Sequence, residues 1–181
     1  SELNRLALVN QKCLYDILFK AASESLLSLA KDRKYLNADS GLMAVLHTWG
    51  QNLMEHPHLH TIVPAGGWSN VTGFWKASRK NFFIPVKVIS VVFRARFLAL
   101  LKQAYSRDQL KFEGEIKPLE PKNNFKQLLN TLYTKRWVVY VKKPFKNAHH
   151  IVAYLGRYSH RVAIGNNRIL GIQDDQVVFK W

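Results

Sequence analysis

Cysteine is nearly absent from this 181-residue chain, in which Cys13 stands alone. An internal disulfide is excluded, and without a second thiolate there is no cysteine zinc site. That scarcity fits a reducing compartment. Acidic residues are few as well, 12 against 27 lysines and arginines, which leaves a formal charge of +15. The excess goes beyond what solubility requires and makes a polyanion, nucleic acid first, the partner to consider. Ribosomal and membrane-surface proteins share such a balance, so charge alone assigns no chemistry. No run approaches the roughly 18 apolar residues of a membrane span, and the first residues lack the basic-then-apolar order of a secretory leader. Repeats and low-complexity tracts are missing too. These absences predict a cytoplasmic, nucleoid-associated protein with no membrane partner.

What is present is enough apolar material for one real core, 48% of residues, and the length suits one domain, or one with a small appendage. Leu14, Ile17, Leu18, Ala21, Ala22, Leu26 and Leu29 recur at three- and four-residue steps, predicting an amphipathic helix from Cys13 to about Lys34. Leu42 to Trp49 is apolar enough for a strand or a buried helix, and periodicity does not choose. After Pro57, His58 to Val63 alternates as a strand, with Pro64-Ala65-Gly66-Gly67 as the turn that ends it. Phe74–Trp75 and Phe82–Ile84 read as short strands, and Pro85 opens a helix to about Tyr105 with Val88, Val92, Leu98 and Leu101 on its apolar face. Residues 111–124 hold two prolines, a glycine and mixed charge, which predicts a connecting loop and the best candidate for a subdomain junction. Phe125 to Tyr133 reads as a helix, and Trp137-Val138-Val139-Tyr140-Val141 as a strand. Asn147 suits the N-cap of a helix to about His160, and Gly165-Asn166-Asn167 the turn between two closing strands. The expected class is α+β, a sheet covered by helices.

The segment His56-Pro57-His58-Leu59-His60 carries the strongest chemical signal. A strand sends residues two apart to one face, so His58 and His60 project together while Leu59 turns to the core. Two imidazoles so placed are half of a metal site, although an isolated His-x-His is equally a pair of hydrogen-bonded histidines. A third ligand is needed, with positions left for substrate oxygen. His47 is the first choice, Gln51 and Glu55 are alternatives, and His56 is expected to point away from the pair. Mg²⁺, Mn²⁺ and Zn²⁺ all remain open.

Further on, Tyr154 and Tyr158 lie four apart, with Arg161 three beyond, so a helix puts the three on one face. Taken alone, such a tyrosine pair is as well explained by packing. Arg157, His160 and Arg161 beside it suggest an anion-facing surface. A phenol with an ordinary pKa near 10 is a poor nucleophile, so attack on a phosphate needs a metal to polarise it, and the histidine strand offers one. Storing a DNA end as a phosphotyrosine ester keeps the bond energy, so rejoining needs no ATP. Arg157 or Arg161 is placed to offset the developing charge.

Leu46-His47-Thr48-Trp49-Gly50-Gln51, then His56-Pro57-His58-Leu59-His60 with Val63-Pro64-Ala65-Gly66-Gly67, and later Tyr154-Leu155-Gly156-Arg157-Tyr158-Ser159-His160-Arg161-Val162-Ala163-Ile164, closely resemble the two-tyrosine HUH-endonuclease transposases of rolling-circle insertion sequences. HUH denotes two histidines flanking a hydrophobic residue, here His58, Leu59 and His60. The resemblance runs through essentially the whole chain. It implies an HUH-nuclease palm with a ferredoxin-like or RRM-like core, an antiparallel sheet carrying the histidine strand in its middle and the tyrosine helix lying across it. It implies nicking of single-stranded DNA with Mg²⁺ or Mn²⁺, leaving a 5′-phosphotyrosine and a free 3′-hydroxyl. By position, His58 and His60 are the implied ligands and Tyr154 and Tyr158 the nucleophiles. The third ligand varies across HUH enzymes, and His47 stays the first choice. Members usually begin with a cysteine-rich zinc module, have their first sheet strand before the point matching Ser1, and continue past the strand at Val177–Trp181. A single nuclease domain cut at both ends is therefore expected over 1–181.

Lys76, Arg79, Lys80, Arg94, Arg96, Arg136, Lys142, Lys143 and Lys146 are candidates for a phosphate-tracking groove, with Trp68, Trp75 or Trp137 as base-stacking candidates. The usual place of such residues is a solvated face for lysine and a core for tryptophan. Gly66 and Gly67 are expected to serve a turn rather than cradle phosphate. Expected partners are single-stranded or hairpin DNA, with a homo-oligomer left open. A rolling-circle replication initiator with the same chemistry and a non-catalytic single-stranded or hairpin DNA-binding module remain as alternatives. A metal-dependent hydrolase is disfavoured by the lack of a spare carboxylate pair beside the histidines.

Overall fold

The computed structural model describes residues 2–50, 54–79, 84–145, 147–159, 168–173 and 176–180, with backbone only at 148 and 157–159. The chain divides into two compact units, Ser1–Ala44 with Thr61–Pro144, and Val45–His60 with Phe145–Trp181. Helices and small antiparallel sheets make the α+β class expected.

The first unit is built on helices α1 (Glu2–Val9), α2 (Gln11–Lys31), α3 (Val86–Ser106) and α4 (Lys122–Thr134), with a 3₁₀ turn at Gly114–Leu119. The apolar period read in α2 is the one that is buried, at Leu14, Ile17, Ala21 and Leu29. It packs on α3, whose buried stripe is Ile89, Phe97, Leu98, Leu101 and Ala104. Phe125, Leu128 and Leu132 of α4 complete the core, together with Leu110 and Ile116. Burying each such side chain is worth about 1.5–3 kcal/mol. The segment 111–124 lies inside this unit and is tied to it by Asn10. The buried Asn10 side chain donates from Nδ2 to the Lys111 carbonyl at 2.9 Å and accepts the Lys111 N–H on Oδ1 at 2.7 Å.

Two strand expectations change here. Trp137–Val141, among the described residues, forms no strand and belongs to no sheet. Trp137 and Val139 pack against apolar clusters, while Val138 and Tyr140 are exposed. The alternation is that of a strand, but its polar contacts run to side chains, Ser90 Oγ donating to the Trp137 carbonyl at 2.6 Å. Gly66 and Gly67 are not a turn but the start of strand β3 (Gly66–Ser69), which pairs antiparallel with β4 (Phe74–Ala77). Backbone crowding explains the glycines: a Cβ on Gly67 would stand 2.5 Å from the Asp39 carbonyl oxygen, and one on Gly66 2.6 Å from that of Lys76. The turn residue that does need glycine is Gly73, at φ +71 in the loop joining the two strands. Of the expected strand Phe82–Ile84, residues 82–83 lie outside the described residues, and Ile84 is a buried residue outside any strand.

The second unit holds most of strands β1 (Met43–Trp49) and β2 (Glu55–Ile62), helix α5 (Ala148–Ser159), and strands β5 (Ile169–Gln173) and β6 (Gln176–Phe179). The open reading of Leu42–Trp49 resolves to a strand. β1 and β2 are neighbours in one sheet, and the residues joining them, 50–54, are too few for a parallel crossover, so the pair is an antiparallel hairpin. Asn147 caps α5 as expected, its Oδ1 accepting the His150 N–H at 3.1 Å. The paired closing strands β5 and β6 flank residues 174–175, so their turn is not Gly165-Asn166-Asn167, which lies outside the described residues. The described strands form three two-stranded sheets. No described helix is long and apolar enough to cross a membrane.

Candidate metal centre

The site lies wholly in the second unit. β1 supplies His47, and β2 supplies His58 and His60 from one face, as the two-residue period requires. All three are half-buried, and one ring nitrogen of each lies within 4.8 Å of those of the other two. The Nε2 atoms of His58 and His60 are 3.1 Å apart, and the His47 ring centre is 4.5 Å from that of His60 and 5.4 Å from that of His58. Metal–nitrogen bonds of 2.0–2.1 Å put neighbouring ligand nitrogens about 3.0–3.4 Å apart, so the donor set fits one ion after a small closure.

Hydrogen bonds fix much of the proton arrangement. His58 Nδ1 faces the His56 carbonyl, and a carbonyl only accepts, so Nδ1 carries the proton and Nε2 presents a lone pair. A ligating histidine that gives its other N–H to a backbone carbonyl is the usual support of a metal ligand. Burial is the first cause holding the His58 pKa below its ordinary value, with the nearby His56 and His47 lowering it further and the His56 carbonyl bond opposing. A neutral, metal-ready imidazole results. His60 Nδ1 lies 2.9 Å from the Tyr154 hydroxyl, which brings the first expected nucleophile to the cluster. With the His58 Nε2 lone pair facing it, His60 Nε2 would carry the proton of that contact. The Tyr154 hydroxyl then donates to His60 Nδ1.

Other expectations are sorted by the same geometry. His56 does not point away: strand alternation keeps it on the face of His58, its ring centre 5.1 Å off, and its part is the carbonyl. Glu55 is exposed at the start of β2 and is not one of the clustered donors. Gln51 and Arg161 lie outside the described residues. Tyr158 and Arg157 are placed in α5 by their backbone, and their side chains lie outside the described residues. Phe145, which no sequence signal singled out, sets its ring 5.3 Å from that of Tyr154. Cys13 is no rival nucleophile. Burial first, and the charge of Asp16 second, push its thiol pKa up.

Among the groove candidates, Arg96 is engaged by Glu24 and Ser28, and Arg94 donates to the Lys135 carbonyl and lies 4.7 Å over the Tyr133 ring. Both are structural. Trp137 gives its indole N–H to the Leu132 carbonyl at 2.9 Å and packs on Phe93 and Phe97, so it is no stacking platform. Trp68, Trp75, Lys76, Arg79, Arg136, Lys142 and Lys143 are exposed, and residues 80 and 146 lie outside the described residues.

Residues 41–181 match the Y2 transposase family model, described as "Putative transposase". The chain belongs to the Y2 transposase family. A relative in Sinorhizobium fredii, "Putative transposase y4qJ", is 44% identical over 176 residues, 97% of this chain and 44% of that protein. The "Transposase for insertion sequence element IS801" of Pseudomonas savastanoi pv. phaseolicola is 29% identical over 162 residues, 86% of this chain and 36% of that protein. This Y2 transposase-family chain thus spans less than half the length of these curated relatives. No solved structure matches it.

Proposed function

We propose that this chain is the nuclease part of a transposase, nicking and rejoining single-stranded or hairpin DNA through a 5′-phosphotyrosine on Tyr154. The observation that carries the reading is the 2.9 Å contact of the Tyr154 hydroxyl with His60, one of three histidines whose nitrogens converge on one point. Family membership supports it, since the named relatives are transposases.

His58 and His60 through Nε2, with His47 as third donor, would hold a divalent cation, Mg²⁺ or Mn²⁺. An all-imidazole set favours Mn²⁺, because Mg²⁺ prefers oxygen ligands. Such an ion supplies Lewis-acid polarisation of the scissile phosphate and relief of charge on the leaving oxygen. With His60 Nε2 ligating such an ion, its ring proton would sit on Nδ1 and be donated to the Tyr154 oxygen. The tyrosine oxygen attacks phosphorus as its phenolic proton passes to solvent water, the bond to the 3′-oxygen breaks, and that oxygen leaves as a hydroxyl after taking a proton back from solvent. Reversal by a second 3′-hydroxyl restores a phosphodiester and frees the phenol, so bonds balance without ATP. Tyr158, one helical turn along α5, is the second nucleophile, and Arg157 and Arg161 are the cations to offset phosphorane charge.

The test is covalent capture of a labelled single-stranded oligonucleotide library on a denaturing gel. An EDTA-sensitive adduct, stronger in Mn²⁺ than in Mg²⁺ and lost in Tyr154→Phe, is expected. An adduct that persists in the Tyr154→Phe/Tyr158→Phe protein, or tight DNA binding with no adduct in any metal, would overturn the reading.

A further inference from the structure

We propose that Trp68 and Trp75, on the β3–β4 hairpin of the first unit, form a two-ring platform on which unpaired DNA bases stack. The proposal deepens the DNA-directed reading above by giving single-stranded DNA a second, metal-independent point of attachment.

The two residues are direct cross-strand partners, so their side chains leave the same face of the hairpin. Both indoles are more than half exposed, at 52% and 58%. Their neighbours on that face are Gly66 and Ala77, another cross-strand pair, so two large rings stand over the two smallest residues available. Trp75 is held there: its Nε1 and Cε2 come within 2.7 and 2.8 Å of where a Gly66 Cβ would be. Gly66 is therefore the seat of the ring, and a held ring has little rotamer freedom left to lose on binding.

Cross-strand tryptophans also stabilise hairpins, but this hairpin is secured without them. β3 is hydrogen-bonded to β4 on one edge and on the other to Asp39, whose backbone exchanges two bonds with Trp68, at 2.7 and 2.8 Å. Ser40 Oγ donates to the Gly66 carbonyl at 3.0 Å, and Asn70 donates to the Asp39 carboxylate at the hairpin tip. Ser69 of β3 is buried. Exposing two indoles on a frame already fixed loses hydrophobic burial for no structural return.

Charge identifies the occupant. From Gly66 to Arg79 there is no aspartate or glutamate, while Lys76 follows Trp75 in β4 on the other face of the hairpin and Arg79 comes two residues past the strand. Asp39, bridged to Trp68 through its backbone, has its carboxylate taken up by Lys31 at 2.7 Å and by Asn70. Two open aromatic rings on a hairpin that carries cations and no acid match a nucleic acid with bases out of the stack, the pattern of single-strand binders. A duplex hides those base faces and gains only the charge interaction.

Binding of a fluorescently labelled oligothymidylate, followed by anisotropy in EDTA, tests this on the full chain. Trp68→Leu and Trp75→Leu keep apolar bulk on the strand and remove the ring, and each is expected to weaken single-strand binding roughly ten-fold. Trp→Phe at either position should recover most of the loss, and affinity for a fully paired duplex should stay within two-fold of the parent. Lys76→Gln should lower the slope of log affinity against log salt by about 1. If both leucine variants bind oligothymidylate within two-fold of the parent, or weaken duplex binding equally, the platform is overturned. Oligothymidylate binding is read in EDTA and adduct formation in Mn²⁺, so failure of the nuclease reading and failure of this one are read from separate measurements.

Discussion

His58 is neutral for two reasons that act together: burial penalises its charged form, and the His56 carbonyl engages the one proton that it keeps. Its folded pKa lies below the unfolded value of about 6.5, so between the two the unfolded chain binds a proton that the folded chain does not. Stability from this group is therefore present above about pH 6.5 and is lost as pH falls below it. Chemical unfolding in EDTA at pH 7.5 and 5.5 should show the parent losing more stability on acidification than His58→Gln does. Equal losses would mean that burial does not set the protonation of this ring. The pairing of His58 with His60 was legible in the sequence because strand period depends on backbone geometry alone. The same period would have placed His56 on the shared face, and the reading that turned it away misapplied the rule. The carbonyl role of His56 and the ring contact of Phe145 depend on tertiary placement and have no sequence signature.

Helix α5 begins where Asn147 can accept the His150 N–H, and it carries Tyr154 to His60. Asn147→Ala should cost about 1 kcal/mol through loss of the cap. Because the first turns of α5 set the position of the tyrosine, adduct yield should fall in the same variant while Mn²⁺ binding, measured by calorimetry, holds. An unchanged yield would show that α5 is positioned by its packing alone. Helices α2, α3 and α4 were legible because a buried stripe repeats at the helical period over 13 to 21 residues. Trp137–Val141 misled because β-propensity reports how side chains suit a pleated surface and says nothing about whether a neighbouring strand exists. Gly66-Gly67 misled in the other sense: glycine marks either a turn or a close approach, and only the Asp39 and Lys76 carbonyls decide between them.

The charge of +15 is readable from composition, and the fold does little to cancel it. The ion pairs of the described residues engage Asp16, Glu24, Asp39, Glu115 and Glu120, at surface positions where such pairs contribute little. The division into two units was not legible. Two of its boundaries fall inside β1 and β2, where no linker composition announces them. The hydrophobic clusters and every fully buried side chain among the described residues belong to the first unit. The histidines and Tyr154 stand in the unit that has none. Few buried apolar contacts mean small opening free energies, so β1 and β2 amides should exchange with deuterium far faster than those of α2 and α3. Mn²⁺ should slow exchange in β1 and β2 and leave the helices unchanged, as followed by mass spectrometry of peptides. Equal protection of strands and helices in EDTA would contradict this. On the proposed reading, the chemistry would then stand in the part of the molecule expected to open most easily, where the cation that serves the reaction would also be what closes it.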